Sequence, residues 1–379
     1  MAERLPANPA LPGRTRLPFI DAAKGIGILL VVLGHSPGLP LFGVVLIYSF
    51  HMPLFFFISG FVQTATRSAT PPVEVVRRNV RSLLVPYLFF FAVSLTYWMA
   101  TRRMGARASK FVGIGVVDAL RGLVTGLSSD LFVNPALWFL PCLFACASVN
   151  VLLRQRVGAL AVMAGAVAIV AIWTLAGGWQ TRLPWSLDIA WMALIFYSAG
   201  DALRDSRWSI ASWTTRTLLI AFPFVLFAWV SAACQLGRVD MARAQFGSSL
   251  WLYLASGFLG TAVVLLISRF VPANAFVRWL ADQSLTIFGL HALLINLARG
   301  ALKFMQVGGD HGDAAFWSLA MSAWAITASL AASMLLTRHF PFLLGRPMLK
   351  ETRCPSNPTR VPPRPGCSSM ERPRSAGTR

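Results

Sequence analysis

Charged residues are scarce in this sequence of 379 residues: they make up 13% of it, whereas hydrophobic residues make up 56%. A typical soluble domain carries about 25% charged residues. Together with a mean hydropathy of +0.62, the composition excludes a soluble globular protein. It predicts an all-α fold, in which a polytopic bundle of transmembrane helices makes up most of the chain.

Acidic residues are the scarcer charged class, with 14 Asp and Glu against 34 Lys and Arg and a net charge of +20. In a soluble protein this excess would suggest nucleic acid as a partner. Here the arginines fall mostly in the gaps between apolar segments and near the C-terminus, where basic residues set topology beside anionic lipid. We therefore expect membrane lipid, and no nucleic acid, as the partner of this charge.

Familiar catalytic motifs are absent. The sequence has no Gly-rich phosphate loop, no G-x-S-x-G elbow and no H-E-x-x-H zinc pair. The five cysteines show no metal-ligand spacing. Cys142 and Cys146, four residues apart in an apolar segment, are typical of core packing. We expect neither a metal site nor a bound cofactor.

The apolar segments are each close to the ~20 residues that a helix needs to cross the hydrocarbon core. They predict about ten spans, at roughly 17–35, 41–62, 83–100, 136–153, 159–177, 188–203, 217–235, 248–268, 279–298 and 315–337. Residues 17–337 then form one transmembrane domain. Residues 1–16 and 338–379 are polar or basic and contain several prolines, which predicts a disordered leader and a disordered tail.

The distribution of basic residues predicts a multi-pass protein of the inner membrane with both termini in the cytoplasm. Ten spans place the basic loops at 67–82, 154–158 and 201–216 on the cytoplasmic side together with the tail. The basic connection 101–134 is the exception, because this count places it outside. Either an interfacial amphipathic helix around 111–127 explains it, or a span has been miscounted.

Ionisable residues gather in the first two apolar segments. If 17–35 is a helix, Asp21, Lys24 and His35 share one face, and the rise of ~1.5 Å per residue separates Lys24 from His35 by roughly 16 Å. The second segment adds His51. Charged groups at membrane depth are costly and are usually kept for a polar pathway or a reaction. These residues are therefore the first candidates for chemistry.

The same residues resemble a known family. IDAAKGIGILLVVLGH followed by FHMPLFFFISGF is similar to the N-terminal signature of the acyltransferase 3 family of integral membrane acyltransferases. That signature has a basic residue, ten intervening residues and a histidine, here Lys24 and His35. Lysine in place of the more usual arginine makes the chain look closest to the fucose 4-O-acetylase-like branch. Further matches follow in order: RSLLVPY at 81–87, ALWFLPCLF at 136–144 and SLTIFGLH at 284–291.

The resemblance implies an O-acyltransferase, with acyl-CoA as the donor and a glycan hydroxyl as the acceptor. Acyl transfer to a hydroxyl needs a base for its proton, or a nucleophile that first takes the acyl group. The resemblance implies the base role for His35, which a neutral imidazole suits. Lys24 either contacts the donor, at its phosphates or acyl carbonyl, or extends toward the headgroups and pairs with Asp21.

Three further residues are candidates for substrate binding. His51 would lie about 15 Å inside a straight second helix, at a different depth from His35. Either the helix boundary is wrong, or residues 36–47 are irregular and line a cavity. Trp138 is either an interface anchor or part of the acceptor site. His291 is mid-span and is expected to face the bundle.

The leading hypothesis is an O-acetyltransferase that moves acetyl from acetyl-CoA to a cell-surface or secreted glycan. A transporter or flippase for a glycan or lipid-linked intermediate is the alternative, although no internal symmetry of the kind common in transporters is visible. A third hypothesis is an inactive scaffold, against which the retained histidine argues.

Overall fold

The computed structural model describes residues 17–63, 70–205, 213–272, 274–304 and 315–346. Within these ranges the chain is helical, and extended pairing is limited to one isolated bridge between Asp240 and Gln245. The predicted all-α class is confirmed. The predicted leader and most of the predicted tail lie outside the described residues.

The described residues form fourteen α-helices. In chain order these are α1 Pro18–His35, α2 Leu41–Tyr48, α3 His51–Val62, α4 Pro72–Asn79, α5 Val85–Thr101, α6 Ala106–Lys110, α7 Val116–Thr125, α8 Phe139–Val157, α9 Ala159–Leu175, α10 Leu187–Asp205, α11 Thr215–Leu236, α12 Leu250–Ser268, α13 Ala275–Phe304 and α14 Ala315–His339. A π-helical segment, Val80–Leu84, joins α4 to α5, so that the two form one continuous helical segment.

Eight helical segments in the described ranges are long and apolar enough to cross a membrane. They are α1, α2 with α3, α4 with α5, α8 with the turn before it, α11, α12, α13 and α14. The other two predicted spans correspond to α9, which is apolar but shorter, and to α10. The polytopic helical bundle is therefore confirmed, and the number of ten spans stays a prediction.

Helix α10 is more polar because it lies inside the bundle. It contacts α3, α8 and α9, and its middle, from Ile189 to Ser198, is almost entirely buried. Two of its acidic residues are paired: Asp188 with Arg182 at 2.7 Å and Asp201 with Arg154 at 2.6 Å. Ion pairing is how charged groups are retained at such depth. A threshold on mean hydropathy therefore leaves α10 out of the candidate spans, although α10 belongs to the bundle.

Helix α1 is central and contacts α2, α3, α12, α13 and α14. Beside it, α3 and α10 cross at very short range. A Cβ built on Gly60 would collide with the Tyr197 carbonyl, and one on Gly200 with the Phe57 carbonyl. Small residues at a crossing allow two membrane helices to approach closely. This crossing connects the histidine-bearing segment to the interior helix.

Chain order and contacts define two ends of the bundle. At the end where α1 stops at His35, which we call the histidine end, the loop before α10 meets two others: Trp185 Nε1 donates to the Val124 carbonyl, and Arg182 to the Ala242 carbonyl. At the opposite end, which we call the basic end, Arg204 donates to the Phe61 carbonyl and Arg346 to the Asp282 carbonyl. Packed structure thus continues beyond 337 as far as Arg346.

The basic connection after α5 contains the two short helices α6 and α7 at the histidine end. The predicted amphipathic helix is α7: Ala119 and Gly122 face the protein, while Val117, Leu120 and Val124 are exposed. Ten residues are too few to span the bilayer. The interfacial interpretation of this connection is therefore favoured over a miscounted span.

We predict that Gly200→Ala lowers the stability of the folded protein by about 1–3 kcal/mol or more, because its Cβ has no room against the Phe57 carbonyl. Gly165→Ala in α9 is the matched control, since nothing lies near its Cβ. Thermal unfolding in detergent, monitored by size-exclusion chromatography, distinguishes the two variants. Equal unfolding temperatures for the two variants would show that the α3–α10 crossing is looser than described.

Candidate active site

The second apolar segment bends at Ser49 and Phe50. Pro53 has no N–H to continue a helix from α2, but it fits the first turn of a new one. Phe50 accordingly leaves helical geometry, with φ −146° and ψ −17°, and α3 begins at His51. The Ser49 hydroxyl donates to the Leu46 carbonyl at 2.8 Å and accepts from Trp229 Nε1 at 3.0 Å. Helix α11 thereby holds the bend in place.

This bend brings three histidines from three helices together. The ring centroid of His35 lies 5.0 Å from that of His291 and 6.4 Å from that of His51, both edge to face. His35 ends α1, His51 begins α3 and His291 is in the middle of α13. We name these residues the histidine cluster.

Of the two explanations for the depth of His51, a wrong helix boundary is the one that the structure supports. A straight helix from residue 41 would have put His51 at a different depth from His35. The irregular backbone lies at residues 49–50 instead of 36–47, because Pro53 starts a separate helix there. His51 consequently lies level with the C-terminal end of α1, within ring contact of His35.

Each imidazole in the cluster is oriented by its own backbone. Nδ1 lies 2.9 Å from the Val31 carbonyl in His35, 2.8 Å from the Ile47 carbonyl in His51 and 2.7 Å from the Phe288 carbonyl in His291. A carbonyl oxygen only accepts, so in each ring Nδ1 carries the proton and donates it. The Nε2 lone pair of each neutral ring therefore points away from its helix.

The three rings differ in accessibility. His51 and His291 are buried, at 3% and 0% exposure, whereas His35 is exposed. Because buried or half-buried rings surround it, His35 lies at the bottom of an opening and not on a convex surface. Of the three rings, that of His35 is the accessible one.

Tyr48, which sequence reasoning missed, completes the aromatic wall of this opening. Its ring stacks on His35 at 5.8 Å and meets His51 edge-on at 5.0 Å. It is the last residue of α2, three positions before His51. That spacing was the available signal, but it indicates a shared face only once the bend is known.

Asp21 and Lys24 lie near the opposite, basic end of α1. The helix is continuous from Pro18 to His35, so the sequence-based separation of roughly 16 Å between Lys24 and His35 holds. Asp21 is buried and Lys24 is half-buried. Arg269 places its guanidinium 5.9 Å from the Phe19 ring in the same region. The structure thus separates these residues from the histidine cluster.

Trp138 does not contact the histidine cluster directly. It is buried, at 5% exposure, in a 3-10 turn before α8, and its ring meets that of Phe139 at 6.4 Å. Phe139 contacts Phe288 at 5.4 Å, and Phe288 contacts His291 at 6.0 Å. Trp138 therefore supports the wall behind His291 through two intervening rings, and it is not an exposed interface anchor.

The loop between α11 and α12 lies at the same end as the cluster. The loop carries three charged residues, Arg238, Asp240 and Arg243. Sequence reasoning missed this loop, since nothing in its composition links it to the histidines. Across the residues that the structure describes, no group of three or more His, Cys, Asp or Glu side chains has the arrangement of a metal site.

Comparisons with known proteins agree with this architecture. Residues 17–338 match the acyltransferase domain of the acyltransferase 3 family, and the match covers every described α-helix except the last residue of α14. Over 92 residues the chain is 39% identical to nodulation protein NolL of Sinorhizobium fredii (strain NBRC 101917 / NGR234). That alignment covers 21% of this chain and 25% of NolL. No solved structure matches.

The matched domain contains all three histidines of the cluster and both charged residues of α1. It extends over far more than half of the chain, so the match is not confined to the short N-terminal signature. A helical bundle with a recessed imidazole is in keeping with a membrane enzyme that transfers acyl groups. The chain belongs to the acyltransferase 3 family.

Proposed function

We propose that this membrane acyltransferase moves an acyl group, acetyl in the first instance, from acyl-CoA to a hydroxyl of a glycan, with His35 as the general base. The observation that carries the proposal is the accessible His35 ring, whose Nδ1 is engaged with Val31 and whose Nε2 is free to accept a proton. A base must be within hydrogen-bond reach of the proton that it abstracts, and only this ring of the cluster is open.

The reaction proceeds by direct transfer. Nε2 of His35 takes the proton of the acceptor hydroxyl while the hydroxyl oxygen attacks the thioester carbonyl carbon. The tetrahedral intermediate collapses, the carbon–sulfur bond breaks, and the departing CoA thiolate takes the proton back from the imidazolium. His35 is the last residue of α1, where the negative end of the helix dipole stabilises the transient imidazolium.

The two buried histidines keep His35 in position. Their rings meet His35 edge-on, and both are oriented by their own backbone carbonyls. A side chain that packing and hydrogen bonds hold in one orientation loses little on reaching the transition state. We assign His51 and His291 this positioning role.

The donor is proposed to lie along α1. Lys24 near the basic end would contact the CoA phosphates, Asp21 would orient Lys24, and the pantetheine arm would cover the roughly 16 Å to His35. Arg77, Arg78 and Arg81 are exposed near the same end. They add positive charge there, although their placement is equally that of topology signals.

The proposed location is the inner membrane, with the basic end and both termini on the cytoplasmic side. This orientation puts the described arginines of the α8–α9 and α11 boundaries, Arg154, Arg156 and Arg216, inside, as the positive-inside rule expects. Acyl-CoA then enters from the cytoplasm and the glycan from the other side. No specific observation favours the transporter alternative.

We predict that His35→Ala lowers acyl transfer by about 10²–10⁴-fold, the usual contribution of a general base, while the protein still inserts and accumulates. His339→Ala, a histidine at the far end of α14, is the matched control. Mass spectrometry of cell-surface glycans and a purified transfer assay give the readout. Wild-type acylation in the His35 variant would disprove the base assignment.

We predict that Lys24→Ala raises the KM for acyl-CoA about tenfold or more, because a charge-assisted contact to phosphate is lost. Lys24→Arg keeps most of the activity, since the charge stays. Lys110→Ala in α6, at the histidine end, controls for the loss of a lysine elsewhere. An unchanged KM for acyl-CoA in Lys24→Ala would assign Lys24 to topology alone.

The orientation is tested with single cysteines in a background where Cys234, Cys354 and Cys367 are serine. Gly38 has φ of +88° and disfavours any side chain, so the exposed neighbour Pro40 is the better site. We expect Pro40→Cys to react with impermeant reagents from outside, Arg156→Cys only from the cytoplasm, and a reporter after Pro365 to be cytoplasmic. The reverse labelling pattern would invert the assigned orientation.

A further inference from the structure

The connection between α5 and α8 begins with a run of basic residues that no carboxylate neutralises. Residues 101–110 contain no acidic side chain and four basic ones, Arg102, Arg103, Arg107 and Lys110. Among the residues that the structure describes, none of the four forms an ion pair. The acidic residues further along, Asp118 and Asp130, accept hydrogen bonds from within the connection itself. The basic run therefore calls for an anionic partner outside the protein.

Topology does not account for this charge. The run follows α5 at the histidine end, whereas the larger group of described arginines lies at the basic end, among them Arg77, Arg78, Arg154 and Arg156. The two ends face opposite sides of the membrane, and the positive-inside rule explains an excess of basic residues on one side only. The run after α5 is the part that the rule leaves unexplained.

Arg102 and Arg103 line an open groove of about 330 Å³ together with the turn that follows α6. The guanidinium carbon of Arg102 lies 4.9 Å from the centre of the Trp98 ring, and its Nη1 donates to the Ile114 carbonyl at 3.4 Å. These contacts hold the guanidinium in place and leave most of its five N–H donors available. Arg103 is exposed. The groove thus presents one fixed guanidinium and one adjustable guanidinium.

The turn at Val112 and Gly113 adds backbone donors to the groove. Both residues line it, and no backbone carbonyl of the described residues accepts the N–H of either. Gly113 has φ of +75°, in the left-handed region that favours glycine. Successive N–H groups in a turn form a concavity that binds anions. Guanidinium groups bind phosphate through paired hydrogen bonds, so phosphate is the anion that this groove fits.

Exposed apolar side chains in the same connection indicate that the phosphate belongs to a lipid. Met104 and Val112 are 65% and 77% exposed, and Val117, Leu120 and Val124 form the exposed face of α7. The groove lies where a membrane-spanning segment ends at Thr101, so these side chains are at the level where headgroups meet hydrocarbon. The acyl chains of a lipid cover such side chains, whereas a soluble phosphate leaves them uncovered.

We propose that Arg102 and Arg103, with the turn at Val112 and Gly113, bind the phosphate of an anionic membrane lipid at the histidine end. The two guanidinium groups and the backbone N–H groups donate to the phosphate oxygens, and the acyl chains lie against Met104 and the exposed face of α7. The lipid neutralises the basic run and fixes the connection to the membrane surface. This site is separate from the donor path proposed along α1 and does not depend on it.

The experiment measures lipid binding to the full chain in detergent by native mass spectrometry. The probe is dioleoyl phosphatidylglycerol, with dioleoyl phosphatidylcholine as the zwitterionic comparison and glycerol 3-phosphate as the soluble phosphate. We expect the wild type to bind phosphatidylglycerol more tightly than either. Arg103→Gln weakens that binding about tenfold, because a charged hydrogen bond to phosphate is lost. Arg121→Gln removes an exposed arginine of α7 outside the groove and leaves the binding within about twofold.

A second variant separates geometry from charge. Arg102→Lys keeps the charge and loses the planar fork that Trp98 and the Ile114 carbonyl hold, so it also weakens the binding of phosphatidylglycerol. Because Arg103 is exposed, Arg103→Gln keeps the unfolding temperature of the wild type, which a thermal scan checks.

Three outcomes would overturn the proposal. Wild-type binding in Arg103→Gln, or equal losses in the Arg103 and Arg121 variants, would show that the groove is not the site. Equal binding of glycerol 3-phosphate and phosphatidylglycerol would assign the groove to a soluble phosphate instead of a lipid. Equal binding of phosphatidylcholine and phosphatidylglycerol would refute the selection of an anionic lipid.

Discussion

A hydrogen bond from each imidazole to the backbone carbonyl three or four residues before it is the interaction on which the site depends. A buried N–H without a partner costs about 1–3 kcal/mol, so each histidine at membrane depth must satisfy Nδ1. The carbonyls of Val31, Ile47 and Phe288 do this, and they fix the same tautomer in all three rings. Donation from Nδ1 to a backbone carbonyl therefore both stabilises the cluster and leaves Nε2 of each ring as its basic nitrogen.

The cluster also requires that the second apolar segment is not a straight helix. The bend at Ser49 and Phe50 brings His51 to the level of His35, and Nδ1 of His51 donates to the Ile47 carbonyl. Trp229 of α11 holds the bend through Ser49, and α11 leads directly into the loop that carries Asp240. Helix α11 therefore links the bend beside His51 to the loop before α12.

Much of this arrangement could be predicted from the sequence. The eleven-residue spacing in one continuous helix places Lys24 and His35 on one face at a known separation, and the apolar runs predict most helices. The depth of His51 could not be predicted from helical rise, because Pro53 starts a new helix inside an unbroken apolar run. Tyr48 and His291 belong to elements far apart in sequence, and only packing brings both rings to His35. The apolar run at 188–203 predicts α10 but not its interior position, which depends on the pairing of Asp188 and Asp201 with arginines of other segments.

The central claim is that the donor lies along α1, with its nucleotide at the basic end and its acyl group at the histidine cluster. A cryo-electron microscopy structure of the full chain in nanodiscs, with a non-hydrolysable thioether analogue of acetyl-CoA, tests it most directly. The account predicts nucleotide density beside Lys24. It also predicts that the acyl carbonyl lies within reach of an acceptor hydroxyl that is hydrogen-bonded to His35 Nε2. Nucleotide density at the histidine end, or an acyl group remote from His35, would contradict it.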